Sequence, residues 1–124
     1  MDFRLELHIK SWKQQLNLKD SIMLMGSCFT EHMSERFAHY RFNILENPNG
    51  ILFNPVSIAA ALQDYVAQRK FTASDIFQYE GLWQSWDHHG RFTSLNPEAT
   101  LTMMNEEGRQ AAEFLRSANW LIIT

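Results

Sequence analysis

Short apolar runs alternate along this chain with stretches whose apolar residues return every three or four positions. Ile22–Met25 is a continuous apolar run, the pattern of a strand covered on both faces. Between Glu31 and Tyr40, residues Met33, Phe37 and Tyr40 are spaced by four and three, which predicts a helix carrying them on one face. Phe42–Leu45 reads as a second strand. Helical spacing then recurs in Ile58, Leu62, Tyr65 and Val66, and again in Leu101, Met104, Gly108, Ala111 and Leu115. Trp120–Ile123 is a last apolar run. Near the start, Phe3, Leu5, Leu7 and Ile9 alternate with polar residues, the period of a strand or extended segment with one buried face. Thr72–Phe77 suggests a short helix, and the aromatic-rich stretch Gln78–Phe92 either a hairpin or a packed loop.

Punctuation supports these boundaries. All three prolines follow an asparagine. Asn54-Pro55 and Asn96-Pro97 fit helix starts, with asparagine accepting from an orphan backbone N–H and proline at the first helical position, where its missing donor costs nothing. Asn47-Pro48 opens a turn, and Asn49-Gly50 supplies residues that tolerate positive φ. Alternating short runs and amphipathic helices predict an α/β fold with a parallel sheet. The final apolar run is followed by Thr124 alone, so the fold is expected to be incomplete at the C-terminus.

Composition narrows the classes. A chain of 124 residues fits one domain, here residues 1–124, able to bury roughly two thirds of its unfolded surface. It shows no linker and no internal repeat. A formal net charge of −3, with no cluster of Lys and Arg, argues against nucleic acid as a partner. No run is long and apolar enough to span a membrane, and the N-terminus lacks the pattern of a signal peptide. A single cysteine cannot form an internal disulfide, which fits a reducing compartment, and the expected location is cytoplasmic.

That cysteine lies at the junction Gly26-Ser27-Cys28, where a strand should pass into a helix. Glycine permits the sharp turn, and the helix start directs N–H groups and a positive dipole end at the junction. An anion there gains about 0.3–1 kcal/mol, a field suited to a thiolate or a developing oxyanion. Serine at the same place would still need a separate base. The plainer alternative makes Cys28 a small core residue and Ser27 a helix cap. Cys28 and His32 stand four apart, as a metal or thiolate–imidazolium pair would, but no further ligands at zinc spacing accompany them, and no metal is expected. His88 and His89 are adjacent and so diverge, bordering a turn before Gly90. Trp83 and Trp86 offer either a ligand platform or a lid over the core.

In this order, the segments LMGSCFTEHM, NPNGILFNPVSIA and GLWQSWDHHGRF resemble the GSCFA family, and the resemblance covers essentially the whole chain. Thr30 replaces the terminal alanine of the name motif, and Asn49 stands where the family usually has phenylalanine. The resemblance implies a three-layer α/β/α fold like that of SGNH hydrolases, of which this chain would be the N-terminal part. It implies hydrolysis of an acyl or acetyl ester, on a small molecule or a glycan, without a cofactor. Laid on the first block of those hydrolases, Gly26 matches the glycine, Ser27 the aspartate and Cys28 the nucleophilic serine, with Ser27 the alternative nucleophile if the register slides by one. Backbone donors of Gly26 to Phe29 would hold the oxyanion together with Gly50, which resembles the second-block glycine, and Asn54 would add a donor. The late Asp-x-x-His of those hydrolases has no counterpart, since Asp87-His88-His89 has the wrong spacing and position. The chain is therefore expected to show little turnover on its own. The rival expectation is a non-catalytic glycan- or acyl-binding module of the same fold.

Overall fold

The computed structural model describes Phe3 and residues 6–124. Its centre is strand β1, Ser21–Met25, in which Ile22, Met23, Leu24 and Met25 are at most 1% exposed. Burying each such side chain is worth about 1.5–3 kcal/mol, so this run anchors the fold. Helix α1, Cys28–His39, leads to β2, Asn43–Glu46, and α2 covers Pro55–Ala67. A short hairpin follows, β3 at Phe77–Tyr79 and β4 at Leu82–Gln84, and then α3, Pro97–Ser117, and β5, Trp120–Ile123. The sheet has the order β2-β1-β5 and is parallel throughout, Met23 lying beside both Leu45 and Leu121.

Side chains alternate across β1 and so address two helical layers. Met23 and Met25 meet Ile58, Ala61 and Tyr65 of α2 and Ala111 and Ala112 of α3. The opposite face, with Ile22 and Leu24, is covered by α1, which packs on β1 and β2. The arrangement is the expected α/β/α layering around a parallel sheet. A second cluster, formed by Phe71, Ile76, Phe92 and Met104 with Trp83 and Leu101 at its margin, fastens the hairpin region to α3.

Both asparagine–proline helix starts hold. Asn54 Oδ1 accepts from the Val56 N–H at 2.8 Å, and Asn96 Oδ1 accepts from the Glu98 N–H at 2.8 Å. Elsewhere the structure corrects the pattern. Residues 6–10 form no strand, and Phe3, Leu7 and Ile9 are exposed; Leu5 lies outside the described residues. Tyr40 caps α1 and is exposed, because the inward positions of that helix are the small residues Thr30 and Ser34, which bring it close to the sheet. Val66 is exposed as well, Ala61 taking the inward position in α2. Within Thr72–Phe77 only Ala73–Asp75 are helical, as a single 3-10 turn, and Phe77 already belongs to the hairpin. In the Asn47–Gly50 turn the positive φ values fall on Asn47 and Gly50, not on Asn49. Among the described residues no helix is long and apolar enough to cross a membrane.

Candidate active site at the strand ends

The chain leaves β1 through α1 to β2 on one side, while β5 lies on the other side of β1. The carboxyl ends of β1 and β5 therefore flank a switch point in the topology, where open α/β sheets leave a crevice for ligands. Gly26, Ser27 and Cys28 occupy this point. Gly26 adopts φ 141°, a conformation that side chains oppose, and a Cβ there would collide with the Thr124 carbonyl oxygen. Its N–H donates to Asn47 Oδ1 at 2.9 Å in a buried bond, and its carbonyl accepts from the Leu52 N–H at 3.0 Å.

Ser27 is the N-cap of α1, its Oγ accepting from the Phe29 N–H at 3.3 Å and lying 3.1 Å from Thr124 Oγ1. Its hydroxyl is thus occupied. Cys28 is the first residue of α1 and is exposed as a free thiol. Among the described residues nothing accepts the Cys28 N–H. An unspent N–H, a helix N-terminus and a sulfur consequently meet at one residue, a combination that favours negative charge.

The second motif braces this turn. Asn47 is 2% exposed; its N–H donates to the Leu24 carbonyl at 2.8 Å, and its Oδ1 holds Gly26. Asn49, also buried, is bonded through both side-chain polar groups and its carbonyl. Its Oδ1 accepts from the Tyr65 hydroxyl at 2.6 Å, its Nδ2 donates to the Asp87 carbonyl at 3.0 Å, and its carbonyl accepts from the His89 N–H at 2.8 Å. Burial pushes the Tyr65 phenol well above its ordinary range, so the group stays protonated and donates. From the third motif, Arg91 donates to the Asn47 carbonyl at 2.8 Å. The three separated motifs are one interlocked structure.

The remaining sequence candidates have definite places. The Gly50 N–H donates to the Asn47 carbonyl at 2.7 Å inside the turn, and a Cβ on Gly50 would collide with the Cβ of His89. Asn54 is the α2 cap. The Phe29 N–H is given to Ser27, and its ring is exposed. His88 is buried between Phe71 and Phe92, edge-on at 4.8 and 5.0 Å, with Nδ1 3.2 Å from Ser85 Oγ. Desolvation there lowers its pKa to about 4, leaving it neutral near pH 7. His89 Nδ1 accepts from the Arg91 N–H at 3.3 Å, capping a 3-10 turn. Trp83 packs at the margin of the second cluster, whereas Trp86 stacks on Phe77 at 4.4 Å and remains 86% exposed.

Among the described residues no imidazole or carboxylate bonds to Cys28, and no group of three or more His, Cys, Asp or Glu side chains is placed to hold a metal ion. A cavity of about 780 Å³ is lined by Gln68, Phe71, Leu101, Asn105, Gly108 and Ala112 among others, and by no residue of the three motifs. Sequence reasoning missed Asn47, Tyr65, Arg91, Thr30 and Thr124 as parts of the site. Asn47 carried a signal only as a turn residue before proline, and the other four carried none that spacing could separate from core or surface.

The profile of the GSCFA family matches residues 21–124. No curated protein and no solved structure matches the chain.

Proposed function

The chain belongs to the GSCFA family, and on that premise we propose that it is a hydrolase-type domain in which the Cys28 thiol attacks an ester carbonyl. The substrate class is a small acyl or acetyl ester, free or carried on a glycan. The observation that carries this reading is the exposed Cys28 at the switch point, with its own N–H unspent, beside a Ser27 hydroxyl already committed to two partners. A thiolate is a nucleophile without further activation, whereas a serine would have to surrender its proton to a base.

The Cys28 thiol first gives its proton to solvent; attack by the thiolate sulfur then forms a carbon–sulfur bond and places negative charge on the former carbonyl oxygen. The Cys28 N–H and the dipole of α1 receive that charge. Collapse breaks the carbon–oxygen bond as water protonates the departing oxygen, which leaves as the alcohol, and an acyl thioester remains on Cys28. In this reading Gly50 shapes the turn, because its N–H is already used. Hydrolysis of the thioester calls for a base to activate water, and no described imidazole bonds to the sulfur. Acylation therefore outruns release.

With p-nitrophenyl acetate the chain should release a burst of about one equivalent of p-nitrophenolate and then turn over slowly, with intact-mass and peptide mapping placing one acetyl on Cys28. Cys28→Ala should abolish the burst, and Ser27→Ala, which keeps the backbone N–H held by Thr124, should keep its one-equivalent amplitude. An acetyl group found on Ser27, or a Cys28→Ala protein with an undiminished burst, defeats the assignment. A wild-type protein that binds an acylated glycan without being acylated would instead favour the binding-module reading, for which the exposed ring of Trp86, backed by Phe77, is the supporting observation.

A further inference from the structure

Thr124 continues the β1–β5 ladder, its N–H donating to the Met25 carbonyl at 3.0 Å, so the register sets it opposite Gly26. Its Oγ1 is a hub. It accepts the Ser27 N–H at 3.3 Å and lies 3.1 Å from Ser27 Oγ and 2.6 Å from Thr30 Oγ1, the last belonging to a residue with no exposed surface. A hydroxyl has one proton to give and two lone pairs to receive. With the Ser27 N–H on one lone pair, one neighbouring hydroxyl on the other, and its own proton directed to the remaining hydroxyl, the capacity of Thr124 Oγ1 is fully used.

From this arrangement we infer that Thr124 is a positioning residue for the Cys28 nucleophile, an inference that rests on the reading of Cys28 given above. Thr124 acts through Ser27. By holding both the N–H and the hydroxyl of the cap residue, it fixes Ser27 on the side away from the helix, while the Thr30 N–H holds the Ser27 carbonyl at 2.9 Å; together they set the Ser27–Cys28 peptide and so aim the Cys28 N–H at the oxygen that becomes charged when the sulfur attacks. Gly26 is the counterpart of this contact, because only a residue without Cβ lets the end of β5 come so close. The bond to buried Thr30 stiffens the hub from below, tying the last residue of the β5 side to the first turn of α1.

The test compares the full wild-type chain with Thr124→Val, which keeps the shape and loses the hydroxyl, and Thr124→Ser, which keeps the hydroxyl. In Thr124→Val the transfer of acetyl from p-nitrophenyl acetate to Cys28 should fall roughly 10- to 100-fold, the scale of a displaced catalytic geometry. Alkylation by iodoacetamide needs the thiolate but no oxyanion donor, and should stay within about twofold. Hydrogen exchange at the Ser27 amide should quicken about tenfold or more as its bond is lost. Thr124→Ser should match wild type in all three.

Unchanged Ser27 exchange in Thr124→Val overturns the inference. So does a parallel fall of acylation and alkylation with no recovery in Thr124→Ser, which is the signature of general loss of structure. Failure of the nucleophile reading looks different: wild type is then not acetylated on Cys28, and the Ser27 exchange comparison alone upholds or overturns the anchor.

Discussion

His88 illustrates how position overrides residue type. Histidine beside histidine in an aromatic stretch suggests chemistry, yet His88 is a packed core group whose neighbours are two aromatic edges and a serine hydroxyl. Asp87 and Asp75 favour its charged form, Arg69 and Arg91 oppose it, and burial outweighs them all. In the unfolded chain the imidazole takes its proton near pH 6.5, whereas in the fold it does so only near pH 4. Between these values the unfolded state binds the extra proton. The contribution is therefore complete above about pH 6.5 and is lost as pH falls toward 4, by up to about 3 kcal/mol. Urea unfolding across that range should show the slope in wild type and a reduced one in His88→Gln. Nothing in the local sequence distinguishes a buried histidine from a reactive one, because the desolvation is completed by Phe71, which is distant from His88 along the chain, closing over it from the side opposite nearby Phe92.

Elements whose causes are local were legible. An asparagine cap followed by proline satisfies an orphan N–H and presets φ within two residues, so α2 and α3 begin where the pairs Asn54-Pro55 and Asn96-Pro97 stand. Replacing Asn54 by alanine should cost about 1 kcal/mol, seen as a lower urea midpoint at constant slope. The continuous apolar run of β1 was equally plain, since four successive buried residues need cover on both faces. The alternation at the N-terminus was misleading because a strand also needs a partner, and no described residue pairs with residues 6–10. In α1 the apolar stripe pointed to Tyr40, while the sheet selected Thr30 and Ser34, whose small side chains allow close approach.

At the scale of the molecule, the three motifs are joined through Asn47 and Asn49, which connect the β1 turn to α2 and to the segment around His89. Tyr65→Phe would leave Asn49 Oδ1 buried without a donor, and should lower stability by about 1–3 kcal/mol in urea or thermal unfolding, with Asn54→Ala as a control of local effect. Asn49 is thus a buried hydrogen-bonded hub between the turn, α2 and the segment around His89. The order of short runs and helices along the chain determined the α/β class, the helix starts and the glycine turn before Cys28, because each depends on hydrophobic period or on backbone geometry within a few residues. Which strand lies beside β1 and that Ser27 is tied to Thr124 were decided only by tertiary structure. Those facts come from contacts between residues some twenty to a hundred positions apart, which no local pattern encodes.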